Sequence, residues 1–146
     1  MSENHVSLID RTAQETHVLL RDIREAIGGG TGASEMYHAL KGVLHTLRDR
    51  LTIEEAVHLS QQMPTMVRGI YFEGYRPTGK PDVFRHREEF IRRVDAELSK
   101  TGGNLSGEIA TTAVLTALYQ HMDRHELDHV RDMLNEEIRE LFPKAA

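Results

Sequence analysis

The sequence predicts an all-α protein, a helical bundle built from two pseudo-symmetric repeats. Apolar residues recur every three or four positions along most of the 146-residue chain, which is the spacing that places them on one face of a helix. No segment alternates apolar and polar residues as a half-buried strand would. Each repeat is expected to hold about three long helices and a short terminal helix. Residues 1–146 are expected to form a single domain.

The first repeat, about residues 8–73, is predicted to contain four helices. Glycine and proline mark their boundaries, because glycine often ends a helix and proline is accommodated in a first turn. The predicted helices cover 10–27, 34–51, a segment that begins at Thr52 and a short segment opened by Pro64. The stripe of the first helix that is expected to face the core is formed by Ala13, Leu20, Ile23 and Ile27.

The segment GYRPTGKP, residues 74–81, is predicted to be an irregular linker. It begins like a phosphate-binding loop, but Pro81 stands where that loop needs a serine or threonine hydroxyl for magnesium. The second repeat, about residues 82–143, is predicted to contain helices over 82–99, 107–122 and 123–134, and a short final helix that starts near Asn135.

The two repeats are related by a shift of 71 residues along the chain. Residues 39–72 then align with 110–143 without a gap, and seven of the 34 pairs are identical, where ordinary composition would give roughly two. The identical pairs are Ala39/Ala110, Val43/Val114, Leu44/Leu115, Leu47/Leu118, Glu55/Glu126, His58/His129 and Arg68/Arg139. The same shift carries the apolar positions of each helix onto apolar positions.

The composition argues against several classes of function. The chain has no cysteine, which excludes disulfides, thiolate metal sites and cysteine nucleophiles. The net charge is -5 and both signs are interleaved, so no basic stripe for nucleic acid stands out. No run approaches the roughly 18 apolar residues of a membrane span. A cytoplasmic protein without a cofactor is expected, with no nucleic-acid or membrane partner. Nine histidines leave a pH-responsive role open.

The sequence HELDH contains H-E-x-x-H at His125, Glu126 and His129, a spacing used by zinc peptidases. The repeat favours a different interpretation, because Glu126 aligns with Glu55. Each glutamate follows a helix-capping residue by three positions, and these residues are predicted to form two capping boxes, Thr52 with Glu55 and Asp123 with Glu126. No third zinc ligand follows at the spacing of a peptidase. A metal or small-ligand site at His121, His125 and His129 remains the alternative.

One short stretch, RGIYFEGYRP, is unusually rich in aromatic residues and arginine. These residue types are common in protein interfaces because they combine large area with polar tips. The predicted partner or ligand surface is formed by Arg68, Tyr71, Phe72, Tyr75 and Arg76. The competing interpretation is that these aromatics pack the linker against the groove between the repeats.

The chain resembles a bacterial family known as domain of unknown function 2267. The likeness is strongest at LRDRL (47–51), at Glu55-Ala56 with Leu59, at Gln62-Met63-Pro64 and from Arg68 through Pro77, and it extends more loosely over about residues 8–142. Tyr75 stands where the family often has tryptophan. The resemblance implies an all-helical cytoplasmic protein with two similar halves, and it supplies no reaction.

The expected function is therefore that of a non-catalytic helical module. It is expected to bind an unknown protein partner or itself, for example as a homodimer, through residues 68–77.

Overall fold

The computed structural model describes residues 6–144, and every regular element in that range is helical, so the predicted all-α class is confirmed. The α-helices of the described residues are α1 (Ser7–Ile27), α2 (Ala33–Arg50), α3 (Ile53–Ser60), α4 (Thr65–Phe72), α5 (Arg87–Leu98), α6 (Gly107–His121), α7 (Arg124–Asp132) and α8 (Glu136–Arg139). None of them is both long and apolar enough to cross a membrane. The remaining residues of the predicted single domain, 1–5 and 145–146, lie outside the described range.

The clearest difference from the predicted boundaries is at α5, which begins at Arg87 and not at residue 82. The preceding segment is irregular because it is held to α2: the Asp82 N–H donates to the Asp49 carbonyl at 2.7 Å. Phe84, which the periodicity had assigned to the helix, is buried from this irregular segment. Apolar spacing alone did not distinguish a helical phenylalanine from a linker phenylalanine that enters the core.

Helix α1 faces the core with a stripe that matches the predicted one in part: Ile23 is buried, and Leu20 and Ile27 pack partly buried against the core. Its buried residues are Thr12, Thr16, Leu19 and Ile23. The threonines can be buried because their hydroxyls are satisfied: Thr16 Oγ1 donates to the Thr12 carbonyl at 2.7 Å, and Thr12 Oγ1 accepts from the Met66 N–H at 2.8 Å. The helix ends as predicted at Gly28, whose φ of 107° suits glycine and whose N–H bonds back to the last turn.

The core is shared between the two halves of the chain. Helix α1 packs chiefly on α6, α5 packs chiefly on α2, and α2 and α6 also contact each other. The first long helix of each half therefore lies on the second long helix of the other half. Gly42 permits the close approach of α2 and α5, since a Cβ at this position would lie 3.1 Å from the Cβ of Glu97. Neither half encloses its apolar residues by itself.

Two side chains of α2 hold the C-terminal end of α4. Arg48, which is only 4% exposed, donates from Nη1 to the carbonyls of Tyr71 (2.6 Å) and Glu73 (2.9 Å). His45 Nε2 lies 2.7 Å from the Ile70 carbonyl, and because a carbonyl only accepts, this nitrogen carries the proton. The last carbonyls of a helix carry partial negative charge, so a cation is favourable here.

Replacing Arg48 by methionine is expected to lower the free energy of unfolding by about 3 kcal/mol, because buried carbonyls and the Asp49 carboxylate lose their partner. Urea denaturation followed by circular dichroism measures this change. The matched control is Arg76→Met in the exposed linker, which should change it by less than about 0.5 kcal/mol. Equal effects of the two substitutions would contradict the role given to Arg48.

The stability of the folded protein is also expected to depend on pH through His45. Burial lowers the pKa of His45 below its ordinary value of 6.5, and nearby Arg48 and Lys41 act in the same direction, against the bond to Ile70. Below about pH 6.5 the unfolded chain therefore takes up a proton at this position that the folded chain resists. The stability contributed by neutral His45 is complete above that pH and is lost as the pH falls towards the lowered pKa.

His45→Gln keeps a donor for the Ile70 carbonyl and removes this titration. The difference in unfolding free energy between the wild-type protein and His45→Gln should be constant from pH 8 to 7 and should shift against the wild-type protein at lower pH. Denaturant titrations at several pH values provide the measurement. A difference that stays flat down to pH 4 would show that His45 does not couple folding to protons.

Candidate functional site

The H-E-x-x-H motif lies at the start of α7, where Asp123 is the N-cap. Asp123 Oδ2 accepts from the Glu126 N–H at 3.3 Å, and in the first half Thr52 Oγ1 accepts from the Glu55 N–H at 3.2 Å. The glutamate side chains do not complete the predicted capping boxes. The Asp123 N–H instead donates to Gln62 Oε1 at 2.9 Å, so the amide that Glu126 was expected to bind is already satisfied.

The two glutamates reach across to histidines of the opposite half. His58 Nε2 lies 2.9 Å from Glu126 Oε2, and His129 Nε2 lies 3.6 Å from Glu55 Oε2. The first contact is short but not aligned as a hydrogen bond, and that glutamate oxygen is buried. The contact is therefore an ion pair whenever the histidine is protonated. These glutamates connect α3 to α7, a role that the sequence motif alone did not reveal.

The three histidines of the alternative metal site have different surroundings. His121 Nε2 bonds to Asp22 Oδ2 on α1 at 2.6 Å, and this bond lowers the pKa of Asp22. His125 and His129 line a separate cavity of about 510 Å³ between α3 and α7. Between residues 6 and 144, no three histidine, aspartate or glutamate side chains are placed to hold one metal ion.

The predicted surface at residues 68–77 faces largely inward. Tyr71 is 0% exposed, so its side chain is not accessible to a partner in this structure. Its complete burial is possible because its hydroxyl donates to the Ala56 carbonyl at 2.7 Å, and burial raises the pKa of this tyrosine far above its ordinary value. Phe72 and Tyr75 are partly buried against the core, and the Arg48 guanidinium stacks over the Tyr75 ring.

The two arginines of that segment differ in their roles. Arg68 donates from Nε to the Ser60 carbonyl and from Nη2 to the Met63 carbonyl, both at 3.0 Å, and so fixes the turn between α3 and α4. Arg76 lies exposed in the linker. The contacts of Arg68 and Tyr71 within the chain are thus structural, and a partner surface at this segment stays a prediction.

A groove along α1 is a better candidate for a binding surface. It has a volume of about 530 Å³ and lies between α1 and the turn that joins α3 to α4. The α1 wall presents a stripe of four residues, Leu8, Arg11, Glu15 and Val18. The opposite wall includes Met63, Pro64 and Thr65, and His121 closes one end. The bond between Thr12 Oγ1 and the Met66 N–H holds the two walls together.

An exposed apolar patch adjoins this groove. Its residues are between 43% and 61% exposed, and we call them the apolar lip: Val6, Leu8, Ile9 and Met66. Val6 is the N-cap of α1, Leu8 and Ile9 lie in its first turn, and Met66 is joined to α1 by the bond from its N–H to Thr12. Isolated exposed apolar residues are ordinary, but several beside a groove mark a surface that another molecule can cover.

The second half of the chain is built differently at the corresponding place. Helix α5 begins at Arg87, which aligns with residue 16, so the first turns of α1 have no helical counterpart. Arg50 and Asn135 align with the groove residues His121 and Pro64, and there Arg50 Nη2 donates to Asn135 Oδ1 at 2.7 Å. This bond joins residues whose counterparts, His121 and Pro64, line the α1 groove.

The groove was not predicted, although the sequence contains a signal for its α1 wall. The residues Leu8, Arg11, Glu15 and Val18 follow the three-and-four spacing of one helix face. Two of the four are charged, and the predicted helix began at residue 10, so the apolar pattern did not display this second stripe.

Comparisons with known proteins place the chain in a family without assigning a reaction. The profile of a family described as uncharacterised conserved protein, DUF2267, matches residues 16–141. The match starts after the first turns of α1, so most of the α1 stripe precedes it. A comparison with curated proteins finds no match. Because the family profile covers most of the sequence and the resemblance at residues 47–77 agrees with it, the chain belongs to the DUF2267 family.

Proposed function

We propose that the protein is a non-catalytic interaction module that binds a protein segment in the α1 groove and against the apolar lip. The observation that carries this proposal is the continuity of the lip with the groove, since Leu8 belongs to both. Covering these side chains would remove apolar surface from water, the main driving force of protein association. The proposed binding surface is therefore formed by α1 and by Thr65 and Met66 at the start of α4, and not by residues 68–77.

The chemistry of the groove suits recognition by shape and charge. Its titratable side chains are Arg11, Glu15 and His121, and His121 is engaged with Asp22. Apolar residues at both ends of the α1 stripe flank the two charged ones. An amphipathic helix fits such a surface, because its apolar and charged side chains recur with the same spacing. The location of the protein in the cytoplasm stays a prediction.

We further propose that the two halves are copies of one unit related by an approximate two-fold axis. The shift of 71 residues relates the N-caps Thr52 and Asp123, which make equivalent bonds. It also relates Arg68 and Arg139, each of which donates to carbonyls of the preceding turn. The exchange of first helices between the halves supports the same arrangement. On this proposal the α1 groove is a feature that only one copy retains.

The proposed function is tested with an affinity bait in which Leu8 and Ile9 are both replaced by aspartate. Charges on the apolar lip should abolish retention of any bound protein, whether another cellular protein or a differently tagged copy of this chain, because burying an unpaired carboxylate is costly. Retained proteins are identified by mass spectrometry after incubation with a cell extract that contains the second tagged copy.

The matched control bait carries Val83→Asp and Ile109→Asp, which replace two exposed apolar residues outside the lip. It should retain the same proteins as the wild-type bait, and thermal unfolding of all three baits should differ little, since the changes lie on the surface. If the lip variant retained everything that the control retains, the groove would not be the binding surface.

A further inference from the structure

The α1 wall of the groove is complementary to itself when its direction is reversed. Its four residues, Leu8, Arg11, Glu15 and Val18, are spaced three, four and three positions apart, which is the spacing of the contact positions in a coiled coil. The sequence of types along the stripe is apolar, positive, negative, apolar. The midpoint of the stripe along the helix axis is level with Ala13, whose side chain lies on the opposite face of α1, and Leu8 and Val18 are equally distant from it along the chain.

A second α1 laid antiparallel across this midpoint would match every position. Leu8 would face Val18 of the other copy, and Arg11 would face Glu15 of the other copy. A two-fold axis makes each of these contacts twice, as in any isologous interface. The contact positions of a coiled coil are of two alternating types, and here Leu8 and Glu15 are of the first type and Arg11 and Val18 of the second. In an antiparallel pair of helices a position of the first type faces one of the second type, which is the pairing obtained here. A parallel pair would instead place Arg11 against Arg11.

The charges of the stripe are weakly used within one chain. Arg11 Nε lies 3.9 Å from Glu15 Oε1, at the outer limit of an ion pair, and both side chains are exposed. An arginine four residues before a glutamate is also the less favourable order on a helix, because the helix dipole opposes it. Both groups are therefore available to a partner at little cost.

We infer that the occupant of the α1 groove is α1 of a second copy of this chain, antiparallel and centred on Ala13. This inference rests on the proposed function and names its partner. The apolar lip of each copy then lies near Val18 of the other copy, beside the wall formed by Met63 and Pro64. An interface built mainly on one pair of helices is small, so the dimer forms reversibly and depends on protein concentration.

Charge reversal tests the register directly. Arg11→Glu alone and Glu15→Arg alone should each weaken the dimer roughly ten-fold or more, because like charges then face each other at two places. The double variant with both changes restores opposite charges and should dimerise within about three-fold of the wild-type protein. Sedimentation velocity over a range of concentrations measures the dissociation constants of the full chain.

Mixing the two single variants gives the sharpest test. One copy then carries two negative charges on the stripe and the other carries two positive charges, so every cross-copy contact is favourable. The mixture should form a heterodimer more tightly than either variant forms a homodimer. Differently tagged chains and sedimentation of the mixture detect it, and circular dichroism checks that each variant is folded.

Three results would overturn the inference: a wild-type protein that stays monomeric at all concentrations, single variants that dimerise as well as the wild-type protein, or a mixture without heterodimer. These results are separable from failure of the proposed function. If the bait retains another protein through the apolar lip while the tagged second copy is not retained, the interaction module stands and the self-complementary pairing falls. If neither is retained, both fall.

Discussion

The sharing of one core between the two halves is the constraint on which the rest of this structure depends. With α1 on α6 and α5 on α2, the apolar residues of each half are covered by the other half. At Gly42 the absence of a side chain leaves room for Glu97 of α5. Burial of apolar area provides most of the stability of such a fold, and here that area forms only when both halves are in place. The contacts of His58 with Glu126 and of His129 with Glu55, and the bond from His121 to Asp22, also join different halves.

Helix α2 organises the region that the sequence had presented as a binding surface. Arg48 and His45 bind the last carbonyls of α4, and Tyr71 closes the corner by its bond to Ala56. Once these polar groups are satisfied, the aromatic side chains of the linker can turn towards the core. The same residue types that favour an interface in a sequence are thus used to anchor a connection. The surface proposed for a partner is the exposed face of α1 beside the groove.

Local signals in the sequence predicted the helix class and most helix boundaries. They could not predict contacts between residues that are far apart in the sequence. The helix class and the capping roles of Thr52 and Asp123 follow from spacing and from residue type. The contacts of Glu126 could not be predicted, because they depend on Gln62, which lies far away in the sequence. Gln62 accepts from the Asp123 N–H that Glu126 was expected to bind. The burial of Tyr71 depends on an acceptor at Ala56, which no spacing rule reveals. The α1 groove was missed because an apolar count ignores a stripe that is half charged.

The exchange of first helices has a consequence for how the chain is made. Synthesis proceeds from the N-terminus, so α1 leaves the ribosome well before α6, the helix that covers it. Until α6 has been added, the face formed by Leu19 and Ile23 lacks the helix on which α1 chiefly packs. Complete native docking of α1 therefore takes place in the later part of translation. A nascent chain halted in the linker would expose the apolar face of α1. Apolar surface exposed in such an intermediate favours aggregation before the chain is complete.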